Sequence, residues 1–294
     1  MTTLERCYRR LLLAYPRSYR AAHGDELLDV LLESARPGQS VPVFREALGL
    51  IFGGARARIA HLATGSTWAD GVHLGITAVS VANLAALLPY AGAVPWWTLL
   101  SALALLAILR GQLGAAFALT ALTGAKSVAI AGGWQVFDLT LVPVSPTFLT
   151  RDFLFERSSP FAVACAFAVA LLGLLVLIRR GGPVRVRSWW WWAAVPPIAW
   201  AGPAWMPDGT PYPISLSRLS VEVGVFALAV VGAYLARDLR WALASGIYLL
   251  AASGELNLRV EYLTRQHLAY WSMLVLLTLG AAIAPYRPRR HLLD

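Results

Sequence analysis

The chain of 294 residues is 58% apolar and only 14% charged, with a mean hydropathy of +0.60. Because soluble domains carry roughly 25% charged residues, this composition excludes an ordinary soluble fold and requires a lipid bilayer around most of the surface. The net charge of +9 is spread over short segments between apolar stretches, which argues against nucleic-acid binding and fits membrane topology.

Residues 1–70 form a charged leader with nine arginines and seven acidic side chains. Proline and glycine divide the leader into short segments of helical periodicity, because a proline ends a helix at the residue before it. We expect three leader helices, over Leu4–Tyr15, Arg17–Ala35 and Pro42–Ala63.

The third leader helix carries one apolar stripe, whose members recur at steps of three and four residues. The stripe consists of Phe44, Leu48, Ile51, Ala55, Ile59 and Leu62. Arg45, Arg56 and Arg58 lie off it. A basic amphipathic helix directly before a span is typical of a helix that lies in the headgroup region. Packing on the other two leader helices is the alternative, and both can hold.

From residue 71 onward, apolar runs alternate with short polar breaks. A helix needs about 20 apolar residues to cross about 30 Å of hydrocarbon. We therefore predict an all-α fold, in which residues 71–294 form a polytopic membrane bundle of about eight transmembrane helices. The predicted spans are Val72–Val94, Trp96–Leu109, Leu113–Trp134, Phe161–Ile178, Trp189–Met206, Leu219–Ala236, Trp241–Gly254 and Leu268–Tyr286.

The distribution of arginine predicts the topology of these spans. If the N-terminus is cytoplasmic, the inner loops and the C-terminal tail carry ten arginines and two acids, whereas the outer loops carry five arginines and six acids. Membrane insertion retains lysine and arginine on the cytoplasmic side. Eight spans with a cytoplasmic N-terminus and a cytoplasmic C-terminus satisfy this rule.

Two segments of the bundle are expected to depart from straight spans. Pro196-Pro197 should kink the fifth span, because a proline removes a helix hydrogen bond. The outer loop at residues 135–160 is long and unusually apolar, and its aromatic part is expected to lie on the membrane surface as a short helix. A re-entrant or cavity-capping segment is the alternative. The residues concerned are Phe148, Leu149, Phe153 and Phe155.

Polar residues within the spans are the candidates for function. Lys126 is the only lysine and falls in the third span, where an ionisable group is a functional hypothesis by default. Glu222 lies about one turn into the sixth span from the outer side. Either these two side chains pair in the bundle interior, with Glu255 as the next candidate partner, or Lys126 snorkels to the outer interface and Glu222 marks a helix start.

The remaining polar candidates are assigned structural roles. Asn83 lies in the middle of the first span and is expected to hydrogen-bond across helices, with ligand contact as the alternative. His73 and His267 lie near opposite ends of their spans, which favours interfacial histidines over a shared metal or haem site. Cys7 falls in the leader and Cys165 in a span, so we expect no disulfide and no metal site. The sequence contains no phosphate-binding Gly-Lys-Ser/Thr loop, no His-Glu-x-x-His and no Gly-x-Ser-x-Gly, and no cofactor is predicted.

The leader carries a recognisable run, Tyr8-Arg9-Arg10-Leu11-Leu12-Leu13-Ala14-Tyr15-Pro16-Arg17-Ser18-Tyr19-Arg20, followed by Gly24-Asp25-Glu26-Leu27-Leu28. This run resembles the short cytoplasmic prefix that precedes some bacterial export permeases of the ABC type. It also resembles the start of uncharacterised integral membrane proteins of high-GC bacteria. The resemblance covers about residues 4–35 and implies a bacterial cell membrane and a docking or regulatory leader. The docking motif that it implies consists of Tyr15, Pro16, Arg17, Tyr19, Arg20, Gly24 and Glu26.

Three functional hypotheses follow. The first is a non-enzymatic component of a transport or signalling system, whose leader docks a cytoplasmic ATPase or regulatory protein. The second is a transporter of a lipid-like or small amphipathic substrate, supported by the Lys126–Glu222 pair and the kinked fifth span. The third is an intramembrane lipid-modifying enzyme. It would need several His, Asp or Glu side chains at one membrane depth, and the sequence shows no close cluster of them.

Overall fold

The computed structural model describes residues 2–36, 38–62, 65–138, 140–156, 158–182, 184–203, 205, 215–258 and 265–286. Throughout these ranges the regular secondary structure is helical, which confirms the predicted all-α class. The α-helices are α1 (Thr3–Leu12), α2 (Arg17–Glu33), α3 (Phe44–Leu62), α4 (Thr67–Leu87), α5 (Pro95–Leu109), α6 (Leu113–Ala131), α7 (Pro160–Arg180), α8 (Val195–Ala201), α9 (Leu216–Ala236), α10 (Arg240–Ala252) and α11 (Arg265–Ile283).

Five helical segments of the described chain are long and apolar enough to cross a membrane. They are Thr67–Tyr90, Leu113–Ala131, Pro160–Arg180, Leu216–Ala236 and Arg265–Tyr286. Helix α5 is also apolar but has only 15 residues, and α10 has 13. At 1.5 Å per residue these two helices fall short of the hydrocarbon thickness on their own.

Helix α4 is the centre of the bundle, because it packs against α5, α7, α8 and α10 and is buried along nearly its whole length. Glycines allow α10 to approach it closely. A Cβ atom on Gly75 would lie 2.7 Å from the Cβ of Ile247, and one on Gly71 would lie 3.0 Å from the Cα of Arg240. Small residues of this kind are what lets helix backbones meet inside a membrane, where water supplies no driving force for packing.

The leader helices α1, α2 and α3 share a small core of their own, built from Leu4, Tyr8, Leu12, Leu28 and Leu50. The hydroxyl of Tyr8 donates a hydrogen bond to the Glu46 carboxylate at 2.8 Å, which fixes α1 on α3. Gly54 of α3 lies directly on Ala14, where an added Cβ would approach to 2.6 Å. Helix α3 also packs on α9, so the leader is joined to the bundle.

The prolines of the fifth predicted span do not kink a helix. Residues Trp189–Ala194 form a 3-10 segment, and α8 begins directly after it, with Pro196 and Pro197 in its first turn. A proline in the first turn costs no hydrogen bond, because the N–H groups there have no partner within the helix. The prediction of a kink at these prolines is wrong, since they start a short helix.

The apolar outer loop does not form the expected surface helix in the described part of residues 135–159. It folds back over the bundle. The backbone N–H of Thr147 donates to the carbonyl of Pro89 at 2.9 Å, and Phe155 is buried in a cluster that includes Leu87 and Val163. Some apolar side chains of this loop, such as Phe155, are buried against the helices, whereas Phe148 and Leu149 are exposed.

Candidate binding cavity and its polar anchors

At one end of the bundle, Asp70 accepts two guanidinium groups. Arg187 donates from Nη2 to Asp70 Oδ1 at 2.7 Å, and Arg240 donates from Nη1 to Asp70 Oδ2 at 2.6 Å. All three side chains are largely buried. A buried charge is tolerable only when it is paired and hydrogen-bonded, and each carboxylate oxygen here has its own cation. We call Thr67, Asp70, His73, Arg187, Asp238 and Arg240 the Asp70 network.

A second carboxylate completes the pairing of Arg240. The Nη2 atom of Arg240 donates to Asp238 Oδ2 at 2.9 Å, and the backbone N–H of Arg240 donates to Asp238 Oδ1 at 2.8 Å. The hydroxyl of Thr67 donates to the same carboxylate at 3.2 Å. Burial opposes ionisation of Asp238, but the hydrogen bonds from Arg240 outweigh it and hold the pKa of this carboxyl below its ordinary value. Burial also lowers the pKa of Arg187, against the opposing effect of Asp70.

His73 belongs to this network and is fully buried within the protein. Its position at the depth of the membrane interface stays a prediction. Its Nδ1 atom accepts from Arg187 Nε at 3.1 Å, and its Nε2 atom lies 2.9 Å from the carbonyl of Ile108. A guanidinium can only donate and a carbonyl can only accept, so the ring is neutral with its proton on Nε2. The imidazole therefore connects α4 to α5 and to the segment that carries Arg187.

At the opposite end of the bundle, Lys126 is 1% exposed and is paired with Asp138. The ammonium also donates to the carbonyl of Val136 at 2.9 Å. Asp138 accepts two further hydrogen bonds, from Trp97 Nε1 at 2.6 Å and from the backbone N–H of Thr140 at 3.0 Å. Burial opposes ionisation of Asp138, but the bond from Lys126 and those from its other donors hold the pKa of this carboxyl well below its ordinary value.

The Lys126–Asp138 pair answers the question left open for Lys126. The lysine neither pairs with Glu222 nor snorkels to the interface, because the outer loop folds in and brings Asp138 to it. The indole ring of Trp97 lies 5.7 Å from the ammonium and adds a cation–π contact. An acid twelve residues after Lys126 was the signal in the sequence. Only acids within or next to the predicted spans were considered as its partners, and Asp138 lies in a predicted loop.

Glu222 has a different neighbour. The hydroxyl of Tyr248 on α10 donates to Glu222 Oε1 on α9 at 2.7 Å, and the Glu222 side chain is buried. Glu255, the other candidate, is half-buried in the 3-10 segment Ser253–Leu258 that follows α10. His267 lies in the first turn of α11, where it is half-buried.

Asn83 is buried near the C-terminal end of α4, yet neither atom of its amide has a hydrogen-bond partner among the described residues. The interhelical bond expected for this asparagine is therefore not formed there. Ser80, one turn earlier on the same face of α4, also has no partner for its hydroxyl in the described chain. Polar side chains on the face of α4 that carries Asn83 thus have fewer hydrogen-bond partners among the described residues than those on the face that carries Asp70.

Glu222 and Tyr248 line a cavity of about 410 Å³ between α4, α8, α9 and α10. Its walls are otherwise almost wholly apolar, with Ala78 and Val81 on one side and Ile198 on another. Val225 and Leu228 of α9 also line it, and both are exposed, so the cavity opens sideways between the helices. We call this space the Glu222 cavity.

Small residues create the Glu222 cavity. Ala229 and Gly232 lie on α9 and Ala244 lies on α10, so the two helices leave room between them. Trp241 limits the space at one end, because its indole packs on Gly232, where a Cβ would lie 2.9 Å from the ring. A single carboxylate–hydroxyl pair in an apolar chamber is a typical arrangement for orienting an amphipathic ligand.

The leader motif divides into a packed half and an exposed half. Tyr15 is half-buried, and an added Cβ on Gly53 would lie 2.4 Å from the Tyr15 hydroxyl, so the ring rests on α3. Burial raises the pKa of Tyr15, and its neighbour Tyr19 adds to the rise. Pro16 is the N-cap of α2, and Gly24 is half-buried within that helix.

The exposed half of the motif lies on one helix. Arg17, Tyr19 and Glu26 of α2 are exposed, whereas Arg20 is half-buried. Tyr19 stacks on Tyr15 with ring centroids 5.0 Å apart, which holds one edge of this surface in place. The motif residues thus fix the turn between α1 and α2 and leave Arg17, Tyr19 and Glu26 exposed on different sides of α2.

The described residues contain no group of three or more His, Cys, Asp or Glu side chains that could hold a metal ion. Cys7 and Cys165 are both thiols, and both are half-buried. The candidate site of this protein is the Glu222 cavity, and the Asp70 network and the Lys126–Asp138 pair are charged clusters at the two ends of the bundle.

Comparison with protein-family models, with curated proteins and with solved structures finds no match for the chain.

Proposed function

We propose that this protein is a non-enzymatic, multi-pass component of a bacterial cell membrane that binds a lipid-like or small amphipathic molecule in the Glu222 cavity. The observation that carries the proposal is an apolar chamber of about 410 Å³ with one carboxylate–hydroxyl pair on its wall. Ligand sites in proteins enclose about 300–1,000 Å³ and combine apolar walls with a few placed polar groups.

The lateral opening supports a ligand that arrives from lipid rather than from water. Val225 and Leu228 are exposed at the opening, and α9 belongs to the segments that are long and apolar enough to cross a membrane. An apolar chain would enter between the helices without leaving hydrocarbon. Its head would then reach Glu222, whose carboxylate accepts hydrogen bonds from an ammonium or hydroxyl group.

The composition of the walls favours binding over catalysis. Among the described residues that line the cavity, the titratable ones are Glu222 and Tyr248. Hydrolysis or transfer on a lipid needs a nucleophile with a base or a metal at the same depth. The Ser245 hydroxyl, which also lines the cavity, donates to the carbonyl of Trp241 at 2.9 Å as a helical serine commonly does.

The grouping of loops at the two ends of the bundle supports the proposed alternation of the crossings from α4 to the start of α10, within a proposed total of eight with both termini in the cytoplasm. Asp70 at the start of α4, Ile108 at the end of α5, Arg187 and the turn at Arg240 all meet in the Asp70 network. Those loops are the ones that the arginine distribution assigns to the inside. The start of α5, the end of α6 and the outer loop meet at the Lys126–Asp138 pair instead.

Binding can be tested with the full-length protein in lipid nanodiscs, using brominated alkyl probes that quench tryptophan. Trp191 and Trp241 line the cavity and would report occupancy. A brominated long-chain alkylamine should quench the wild type saturably. Glu222→Gln should weaken the alkylamine about tenfold, the loss expected for one charge-assisted hydrogen bond, and should weaken a matched alkanol less.

A filling variant separates cavity binding from partition into lipid. Ala78→Phe places a ring in the chamber, and the matched control Ala118→Phe places it on the exposed surface of α6. Saturable quenching should disappear in Ala78→Phe and persist in Ala118→Phe. Equal quenching in both variants would show that the probe is sensed from bulk lipid, and the proposed function would fall.

A second function, docking of a cytoplasmic ATPase or regulatory protein, is favoured by the exposure of the motif residues Arg17, Tyr19 and Glu26 on α2. The test is capture from solubilised membranes by the wild type and by Arg17→Glu, with Arg36→Glu as the control outside the motif. We expect an ATPase or regulator that is captured by the wild type and the control but lost in Arg17→Glu. Equal capture by all three proteins would refute a role for the motif.

A further inference from the structure

The outer face of α3 is strongly apolar, and most of it is exposed, although Ile59 near its end borders α9. Phe44 is 76% exposed, Ile51 is 45% exposed and Phe52 is 69% exposed. At about 100° per residue these side chains, together with Leu48, Ala55 and Ile59, fall within an arc of about 100°. A contiguous exposed apolar face of this kind is typical of a surface that contacts a membrane or another molecule rather than water.

Other residues of the same helix pack on and hydrogen-bond to the rest of the leader. Leu50 belongs to the leader core, and Glu46 accepts the hydrogen bond from Tyr8. The guanidinium of Arg58 donates to the carbonyls of Leu13 and Ala14. Rotation of α3 to hide its outer face would break all of these contacts, so the exposed arc is a fixed feature of the leader.

We propose that this arc is a membrane-binding surface, which seats α3 in the headgroup region of an anionic lipid leaflet on the side of the Asp70 network. Arg45 and Arg56 are exposed and lie beside the apolar arc, where long basic side chains reach lipid phosphates. This inference does not depend on the proposed ligand.

The connection of α3 to the bundle supports lipid as the occupant. Helix α3 packs on α9, and its Ile59 lines the same cavity as Val225 of that helix. Helix α4 begins at Thr67, and its Asp70 already lies in the Asp70 network. The apolar arc is therefore continuous with the surface that α9 presents to hydrocarbon, and it stands at the depth where the bundle meets its charged end.

Depth-dependent quenching tests the proposal on the full chain. Phe52→Cys is labelled with an NBD fluorophore in a Cys7→Ser/Cys165→Ser background, and Asp29→Cys on the exposed side of α2 serves as the matched control. In nanodiscs of phosphatidylglycerol and phosphatidylethanolamine, a spin label near the headgroup should quench the Phe52 site at least twofold more than one near the chain end. Aqueous iodide should quench the Asp29 site and not the Phe52 site.

The charges are tested separately. Arg45→Gln/Arg56→Gln should reduce lipid quenching at the Phe52 site, and so should nanodiscs of phosphatidylcholine alone. Two results would overturn the proposal: quenching of the Phe52 site by iodide as strong as at Asp29, or protection from both quenchers, which would mean that a protein covers the arc. Because the probe sits outside the Glu222 cavity, either result leaves the ligand-binding measurement unaffected.

Discussion

The most specific prediction about stability concerns the Lys126–Asp138 pair. Replacing Asp138 by asparagine leaves an ammonium group that is almost wholly buried, with the carbonyl of Val136 and a neutral amide as its neighbours. An uncompensated buried charge is the most costly result of a single substitution in a helical bundle. The variant therefore tests whether the charge of Asp138, rather than its shape, stabilises the end of α6.

The expected loss in the free energy of unfolding depends on how exposed the side chains of Lys126 and Asp138 are. The Lys126 side chain is 2% exposed and that of Asp138 is 34% exposed. Breaking a fully buried pair costs about 3–5 kcal/mol. Because solvent reaches Asp138, the loss should be nearer about 2–3 kcal/mol, which corresponds to a fall in Tm of about 3–5 °C for a chain of this size.

The assay is thermal unfolding of the purified protein in detergent, followed by tryptophan fluorescence. Glu156→Gln is the matched control, because it removes one charge from the same loop at an exposed position. Lys126→Met and the double variant Lys126→Met/Asp138→Asn complete a double-mutant cycle. The double variant should recover most of the loss, since it leaves no buried ammonium.

Two results would refute this reasoning. An Asp138→Asn variant as stable as Glu156→Gln would mean that the ammonium reaches water or another acid. A Glu222→Gln variant whose loss of stability disappears in the Lys126→Met background would show that Lys126 is coupled to Glu222 instead.

Three further predictions concern helix packing, the charged network and the leader. Gly75→Val should lower Tm by about 2–5 °C, because its Cβ meets Ile247 and overpacking costs about 1–3 kcal/mol; the control is Gly114→Val, where an added Cβ meets no atom within 4 Å. Asp70→Asn should cost about 3–5 kcal/mol by leaving two buried guanidinium groups short of charge, and should reduce the monodisperse fraction on size-exclusion chromatography. The pKa of Tyr8 is raised to about 12 by burial and by Glu46, so its contribution to leader stability is full below pH 10 and is lost as pH rises through 12. Cleavage of the leader by subtilisin should therefore accelerate between pH 10 and pH 12 in the wild type, and Tyr8→Phe should flatten that dependence.

In the leader, the period of the apolar residues is sufficient to predict the helices but not which of their faces are packed. The expected helices Leu4–Tyr15, Arg17–Ala35 and Pro42–Ala63 correspond to α1, α2 and α3, with ends that differ by a few residues. The apolar stripe of α3 was evident from its spacing. What spacing could not decide was whether that stripe or the opposite face packs on the leader core, because Leu50 and Gly54 form an equally regular row.

The sequence by itself determined that this chain is all-α and apolar enough for a membrane, and it singled out Lys126 and Glu222. Helix formation and hydrocarbon matching depend on residues close in the chain, so composition and period are sufficient evidence for them. Only the tertiary structure decided that Lys126 pairs with Asp138, that Glu222 bonds to Tyr248, and that a cavity lies beside Glu222 and Tyr248. Those outcomes depend on which helices are neighbours and on how a loop folds back, and a buried charge binds whichever counter-charge that packing delivers.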